Sequence, residues 1–200
     1  KTGKVYVKGK EADIRSPKAA ISYGIAFLTE DRKGEGLVLS NTVGFNINLS
    51  TFEKSKRGLL LNNALLRNKA KNDITQLRIK TPSINTTVRG LSGGNQQKVV
   101  VGKWIPFDIN VLLLSDPAKG VDIGAKQDLY DFVLKLAKEK GISVILYASD
   151  NEELVDYCNR VMVMYEGSII KELSGDDITN ANITKASLNL PEGERKEMEA

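Results

Sequence analysis

Ser92, Gly93 and Gly94 stand just before a stretch whose apolar residues Val100, Val101, Trp104 and Ile105 share one side, as a helix over 96–105 would place them. Two glycines without a Cβ let a ligand approach the main chain, and the free N–H groups and positive dipole end of a helix start suit phosphate. The Ser92 hydroxyl adds a donor at the same spot. The same residues would also serve as a Gly-Gly turn capping a helix, with no ligand. Further along, the apolar run Leu112–Leu114 stops at Ser115, Asp116 and Pro117. That pattern reads as a buried strand carrying an acid to the edge of a parallel sheet, where open α/β folds bind ligands. Asp116 could act as a base or metal-shell acid there, or as a turn residue before Pro117.

The elements that must position these residues follow from periodicity and punctuation. Lys4–Lys10 alternates and turns at Gly9, a strand signal. Ser16 and Pro17 cap and open a short helix that runs to Tyr23 and stops at Gly24. Ile25–Leu28 is a second apolar strand, ending in the charged cluster Thr29-Glu30-Asp31-Arg32-Lys33. Residues 41–90 are rich in Asn, Lys, Leu and Thr and read as a mostly helical subdomain inserted into an α/β core of residues 1–40 and 91–178. Leu65, Ile74 and Leu77 would share its buried face, and Lys80-Thr81-Pro82 would end it. The core resumes as helix 96–105, strand 111–114, helix 124–138, strand 142–147, helix 151–158 and strand 160–165. Leu129, Phe132, Val133 and Leu136 lie on one face of the long helix, which Gly141 stops. Strands alternating with helices imply parallel βαβ units. Glu166-Gly167 then turns the chain into a closing hairpin with SIIKEL. The charged tail 191–200 lacks a periodic apolar face and reads as frayed. Trp104 and Phe132 read as core, and Glu152 and Glu153 as first-turn acids of the helix that follows Ser149-Asp150. Lys54, Lys56 and Arg57 read as a solvated face, with contact to acidic lipid or to acidic residues of a membrane protein as the alternative.

Composition removes several function classes. Two hundred residues suffice for one domain with a real core, and no apolar run approaches the roughly 20 residues of a membrane helix. The opening KTGKVYVKGK is no secretory signal, and a start at Lys reads as part of a longer protein. Cys158 is the only cysteine and there is no histidine, which excludes an internal disulfide and the usual zinc constellations and suits a reducing cytoplasm. Lys and Arg number 29 against 25 Asp and Glu, and this excess of +4 is spread along the chain. It is not the clustered stripe of a nucleic-acid binder, so no nucleic-acid partner is expected.

LSGGNQQKVVVGKWI resembles the signature motif of the ATP-binding subunits of ABC-type monosaccharide importers, the ribose, galactose and xylose group, in their Asn-Gln-Gln variant. FLTEDRKGEGLVLSNTV at 27–43 resembles a segment of the second nucleotide-binding domain of these tandem proteins, as do KGVDIGAKQDLYDFV and RVMVMYEGSI downstream. The resemblance runs from Val5 to about Ile178. It implies an α/β, P-loop NTPase-like ABC ATPase core with an inserted helical subdomain docking on a membrane permease. It also implies ATP and Mg²⁺ as ligands, a first nucleotide-binding domain as partner, a sugar-binding protein as indirect partner, and a peripheral place on the cytoplasmic face of the membrane. Ser92, Gly93, Gly94 and Gln96 would serve an ATP held mainly by the opposing domain, with Asp122 at the same interface. Glu30 takes the place where most ABC domains have Gln, and Ser149 the place where many have a γ-phosphate-sensing His.

Two departures bear on activity. No Gly-x-x-x-x-Gly-Lys-Ser/Thr loop occurs in the chain; in the family that loop would precede Lys1. Where the family usually has Asp-Glu-Pro-Thr, this sequence has Ser115, Asp116, Pro117 and Ala118. Ser115 offers Mg²⁺ a neutral dipole, and Asp116 is one methylene shorter than the Glu that polarises water. A shifted register, with Asp116 as the metal-shell acid and Pro117 replacing the Glu, is the alternative. The expectation is a domain with a degenerate site that lends its signature turn in trans. Its rivals are a domain that hydrolyses ATP with Asp116 as base, a non-transport ABC switch, and a non-catalytic interaction module.

Overall fold

The computed structural model describes residues 3–52, 56–57 and 60–189. Lys54 and the tail expected at 191–200 lie outside them. The described residues form two units that divide after Ile145.

The first unit opens with a hairpin, β1 (Val5–Val7) and β2 (Lys10–Ala12), in which Val7 pairs with Lys10. Lys8 and Gly9 both have positive φ, 51° and 74°, the conformation that two-residue hairpin turns need. The single strand expected over 4–10 is therefore two, because that turn reverses the chain. Helix α1 (Pro17–Ser22) starts as expected, with the Ser16 hydroxyl accepting from Ala19 N at 3.1 Å. Strand β3 (Ile25–Leu28) runs parallel to β6 (Val111–Ser115), with Ile25 opposite Val111 and Leu28 opposite Leu114. Strand β7 (Ser143–Tyr147) lies on the far side of β6.

One face of this sheet carries the core. Ala26, Leu28, Leu112 and Leu114 are buried, whereas Phe27 and Ile145 point outwards and are exposed. Leu28 and Leu112 share the walls of one small void with Val101 of α4 (Gly93–Gly102) and Val133 of α5 (Ile123–Lys140). Helix α5 follows the expected span, buries Leu129, Tyr130 and Val133, and ends at Gly141 in the left-handed conformation. Helix α4 starts three residues earlier than expected, because Ser92 caps it and both glycines are helical. It ends at Gly102, so Trp104 and Ile105 lie in the following turns. Burial runs from Gln96 through Gly102 without a break, so α4 is enclosed and not one-sided.

The 41–90 stretch contains α2 (Val43–Asn48), a short antiparallel ribbon of β4 (Lys56–Arg57) and β5 (Leu60–Leu61), and α3 (Asn63–Gln76). Leu65 is corrected: it is 52 % exposed, and the buried line of α3 is Leu66, Ala70, Asp73 and then Leu77. This face begins one residue later than expected. It is anchored by Asn48, which donates to the Leu66 carbonyl at 3.0 Å, and by Lys69, which pairs with the buried Asp73 at 2.5 Å.

The second unit holds α6 (Asn151–Tyr157) and the antiparallel hairpin of β8 (Arg160–Tyr165) and β9 (Ser168–Ser174), which turns at Glu166-Gly167. It ends in α7 (Asn180–Ser187), a helix outside the sequence expectations, which the Thr179 hydroxyl caps by accepting from Asn182 N at 3.1 Å. Val161, Val163, Leu173 and Ile183 form its core, with the half-buried Cys158 packed on it. Burial pushes the Cys158 thiol above its usual pKa, so this thiol is not an activated nucleophile. Among the described residues no helix is long and apolar enough to cross a membrane.

Candidate functional site

Three loops meet at one end of the first unit: the turn before α4, the charged segment after β3, and the loop from β6 to α5. The turn is built for close approach. The Ser92 side chain is exposed and accepts from Asn95 Nδ2 at 2.9 Å. A Cβ on Gly93 would come within 2.8 Å of the Arg32 guanidinium and 3.1 Å of the Gly120 carbonyl. A Cβ on Gly94 would stand 2.2 Å from the Cβ of Ala125, so this glycine seats α4 against the first turn of α5. Gln96 is 5 % exposed and donates its amide to the carbonyls of Val88 and Leu91 at 3.2 and 3.3 Å, while its Oε1 is buried without a partner.

The segment after β3 holds the other two loops in place. Asp31 caps a π-turn over Arg32–Gly36 by accepting from Gly34 N at 2.8 Å. Arg32 donates to the carbonyls of Lys119 at 2.6 Å and Gly120 at 3.1 Å. Glu30 pairs with Lys119 at 3.1 Å in an exposed bridge. Lys103, just past α4, donates to the Gly36 carbonyl, and its burial lowers the pKa of the ammonium. Glu30 is thus tied to the β6–α5 loop, and Arg32 links that loop to the turn before α4.

At the end of β6, Ser115 is half-buried and Asp116 only 4 % exposed. Asp116 has φ +44°, a left-handed conformation that Asp tolerates better than most residues and that often marks a functional site. Its carbonyl accepts from Lys119 N at 3.1 Å, which closes the turn through buried Pro117. Asp122 caps α5, accepting from Ala125 N at 3.0 Å. Ser149 lies in the second unit, in the loop that opens α6.

The structure therefore brings Glu30, Ser92, Gly93, Gly94 and Asp122 into neighbouring loops of one unit, with Asp116 at the base of the β6–α5 loop. It gives Gln96 and Asp122 local partners that the sequence did not announce. Sequence reasoning missed Arg32 and Lys119 as organisers. Both were visible as charges, but their partners are carbonyls distant in sequence.

Mg²⁺ needs an octahedral set of oxygen donors, with carboxylates or phosphates among them. The end of β6 offers one neutral hydroxyl and one buried carboxylate. Among the described residues no group of three His, Cys, Asp or Glu could hold a metal ion. With one buried carboxylate and one neutral hydroxyl, this donor set would hold Mg²⁺ only together with phosphate oxygens and water.

No family model matches the chain. Over 190 residues it is 41 % identical to the ribose import ATP-binding protein RbsA 1 of Rhizobium etli, an alignment covering 94 % of this chain and 37 % of that protein. It is 42 % identical over 170 residues to the xylose import ATP-binding protein XylG of Thermoanaerobacter pseudethanolicus, covering 84 % and 33 %. The chain spans about a third of the length of these relatives. Its fold matches the dimeric post-hydrolysis state of the ATP-binding cassette MJ0796 bound to ADP and Pi, with a TM-score of 0.71 and 19 % identity over 86 % of this chain and 73 % of that one. The chain thus belongs to the ABC ATPases, as a homologue of one part of the monosaccharide-import ATP-binding proteins.

Proposed function

We propose that the chain is a nucleotide-binding domain of a sugar-importing ABC ATPase that works in trans. Its turn at Ser92–Gly94 completes the site of an ATP gripped by a second ABC domain, while its own site at Ser115 and Asp116 is degenerate. The observation that carries this reading is the contrast between the two half-sites. The turn before α4 has an exposed hydroxyl at a helix start and a glycine whose missing Cβ keeps it clear of Arg32 and the Gly120 carbonyl. The end of β6 has a neutral Ser and a buried, left-handed Asp in place of an exposed acid pair.

In this reading the Ser92 hydroxyl and the amides at the start of α4 orient the terminal phosphate, and the helix dipole offsets its charge. Asp122 holds the start of α5 beside them. Ile123, 86 % exposed, gives the same surface an apolar contact for the opposing domain. The 41–90 stretch meets a membrane permease at the cytoplasmic face, through which the domain serves a sugar-binding protein indirectly. Closing and opening of the pair transmits the cycle to the membrane. The Mg²⁺ that accompanies ATP is held by the partner's site. Glu30 and Ser149 occupy the places of family nucleotide sensors without a donor set that would let this domain turn over alone.

The test mixes this chain with an ABC domain that carries an intact phosphate loop. Ser92→Arg is expected to lower the pair's ATP turnover by about 10²-fold or more, the scale of losing a transition-state donor. Asp116→Asn should leave it within about twofold, since a base in use would cost roughly 10²-fold or more. The opposite pattern would mean that this domain hydrolyses ATP itself.

A further inference from the structure

The five-residue π-turn Arg32–Gly36 lies along α4 and is moored to it at both ends. At one end the Gly36 carbonyl accepts from the half-buried Lys103, just past α4, and a Cβ on Gly36 would stand 3.2 Å from Val100 Cγ2. At the other end the Arg32 guanidinium lies against Gly93, the first residue of α4, where a Cβ would come within 2.8 Å of Nη2. The turn is also held from within. Asp31 accepts from Gly34 N at 2.8 Å, and the Thr29 hydroxyl donates to Glu35 at 2.7 Å. π-Turns are rare and recur at functional sites.

Arg32 reaches from this turn to a third element. Nη1 donates to the Lys119 carbonyl at 2.6 Å and Nη2 to the Gly120 carbonyl at 3.1 Å. One planar fork therefore spans two consecutive carbonyls of the β6–α5 loop while it packs on the turn before α4. Gly120 holds φ +65°, a left-handed conformation that a side chain would strain. Ser92 caps α4 and Asp122 caps α5, so each helix start is formed by its own local residues. What Arg32 fixes is the separation of the two starts.

We propose that Arg32 is a positioning residue for ATP hydrolysis at the partner's site. It makes the turn at Ser92–Gly94 and the loop from Lys119 to Asp122 one rigid edge, and the π-turn is the strut that aims it. The inference rests on the trans reading and adds what holds the Ser92 donor in place. A shift of that donor by about 1 Å would cost on the order of 10²-fold in rate, whereas the phosphate loop that grips the nucleotide would still set its affinity. Arg32 acts here by its shape: lysine keeps the charge but cannot bridge two carbonyls with a rigid fork.

Steady-state ATP turnover tests this in a pair of this chain with an ABC domain that carries an intact phosphate loop, with this chain titrated to saturation and its folding followed by thermal melts. Arg32→Lys should lower kcat by about tenfold or more and leave KM for ATP within about threefold. A chain that merely folds less well would regain the wild-type kcat when added in excess. Arg32→Gln serves the same comparison where the lysine variant melts below the assay temperature. Arg32→Ala vacates the space between Gly93 and the two carbonyls, and ethylguanidinium in solution should raise its kcat at least about threefold, whereas ethylammonium, of equal charge, should not. A kcat for Arg32→Lys within about twofold of wild type, a loss carried by KM alone, or rescue that fails to prefer the guanidinium would overturn the proposal. Ser92→Arg separates its failure from that of the trans reading. If Ser92→Arg lowers turnover about 10²-fold and Arg32→Lys does not lower kcat, only the strut fails; if Ser92→Arg leaves turnover unchanged, both fall.

Discussion

Replacing Gly94 by alanine isolates the packing that seats the signature turn. The new Cβ would stand 2.2 Å from the Ala125 Cβ, and the next atoms, Ala125 Cα and Asp122 Oδ2, are both at 3.6 Å, ordinary contact distance. Non-bonded carbons rest about 3.5–4.0 Å apart, so α4 and α5 must separate by more than about 1 Å at this point. Overpacking of this kind costs about 1–3 kcal/mol, offset by up to about 1 kcal/mol from the better helix propensity of alanine. The net loss should be about 1–2 kcal/mol. In a chain of this size that corresponds to a fall of about 2–8 °C in Tm. Urea unfolding followed by the fluorescence of Trp104, the single tryptophan and part of the first unit, reads the change. Ala125→Gly removes the obstructing atom, and in that background Gly94→Ala should cost nothing. The coupling energy between the two sites should then be about 1–3 kcal/mol. A cost for Gly94→Ala that is the same in both backgrounds, within about 0.5 kcal/mol, would refute the reasoning.

Other outcomes follow from the same contacts. Leu66→Ala should destabilise by about 2–3 kcal/mol in a urea melt, and Leu65→Ala by less than about 0.5 kcal/mol, because only Leu66 is buried. Asp128→Asn removes the negative charge 2.7 Å from the Lys98 ammonium and should cost up to about 1 kcal/mol, because the Asp128 side chain is 49 % exposed and solvent screens the pair. The hydrogen bond from Lys98 holds the Asp128 carboxyl below its ordinary range. Its contribution is therefore full above about pH 4 and disappears as the pH falls through the lowered value, so the stability difference between wild type and D128N should shrink in acid. Ile123→Asp, at an almost fully exposed site, should leave the melt unchanged and weaken ATP-dependent pairing with a phosphate-loop domain in analytical ultracentrifugation.

Much of the first unit was legible because local chemistry and tertiary packing agree there. Ser16-Pro17 opens α1, Leu129 and Val133 face the core from α5, and Gly141 closes it, each for a reason contained within a few residues. Errors arose where a distant partner decides. Leu65 and Leu66 both fit an apolar stripe, and only tertiary packing, which buries Leu66 and leaves Leu65 exposed, selects between them. Paired glycines signal a turn in sequence, whereas here both begin α4, and the missing Cβ of Gly94 lets α5 approach. Gly9 marks a turn in the sequence, but a lysine at positive φ leaves no mark there, so the return strand from Lys10 to Ala12 is not legible. The site residues were legible as types: the hydroxyl, the glycines and the acids all occupy loops. Their organiser was not, since Arg32 works through main-chain carbonyls at 119 and 120, which every residue possesses.

The central claim is that the turn at Ser92–Gly94 addresses a nucleotide gripped by another domain. Photo-crosslinking with an ATP analogue that carries its reactive group on the terminal phosphate tests it most directly. In a mixture of this chain with an ABC domain bearing an intact phosphate loop, the label should map to residues 91–98 of this chain and vanish when the partner's loop is disabled. Labelling elsewhere in this chain, or labelling of 91–98 that persists with the partner's loop disabled, would contradict the account.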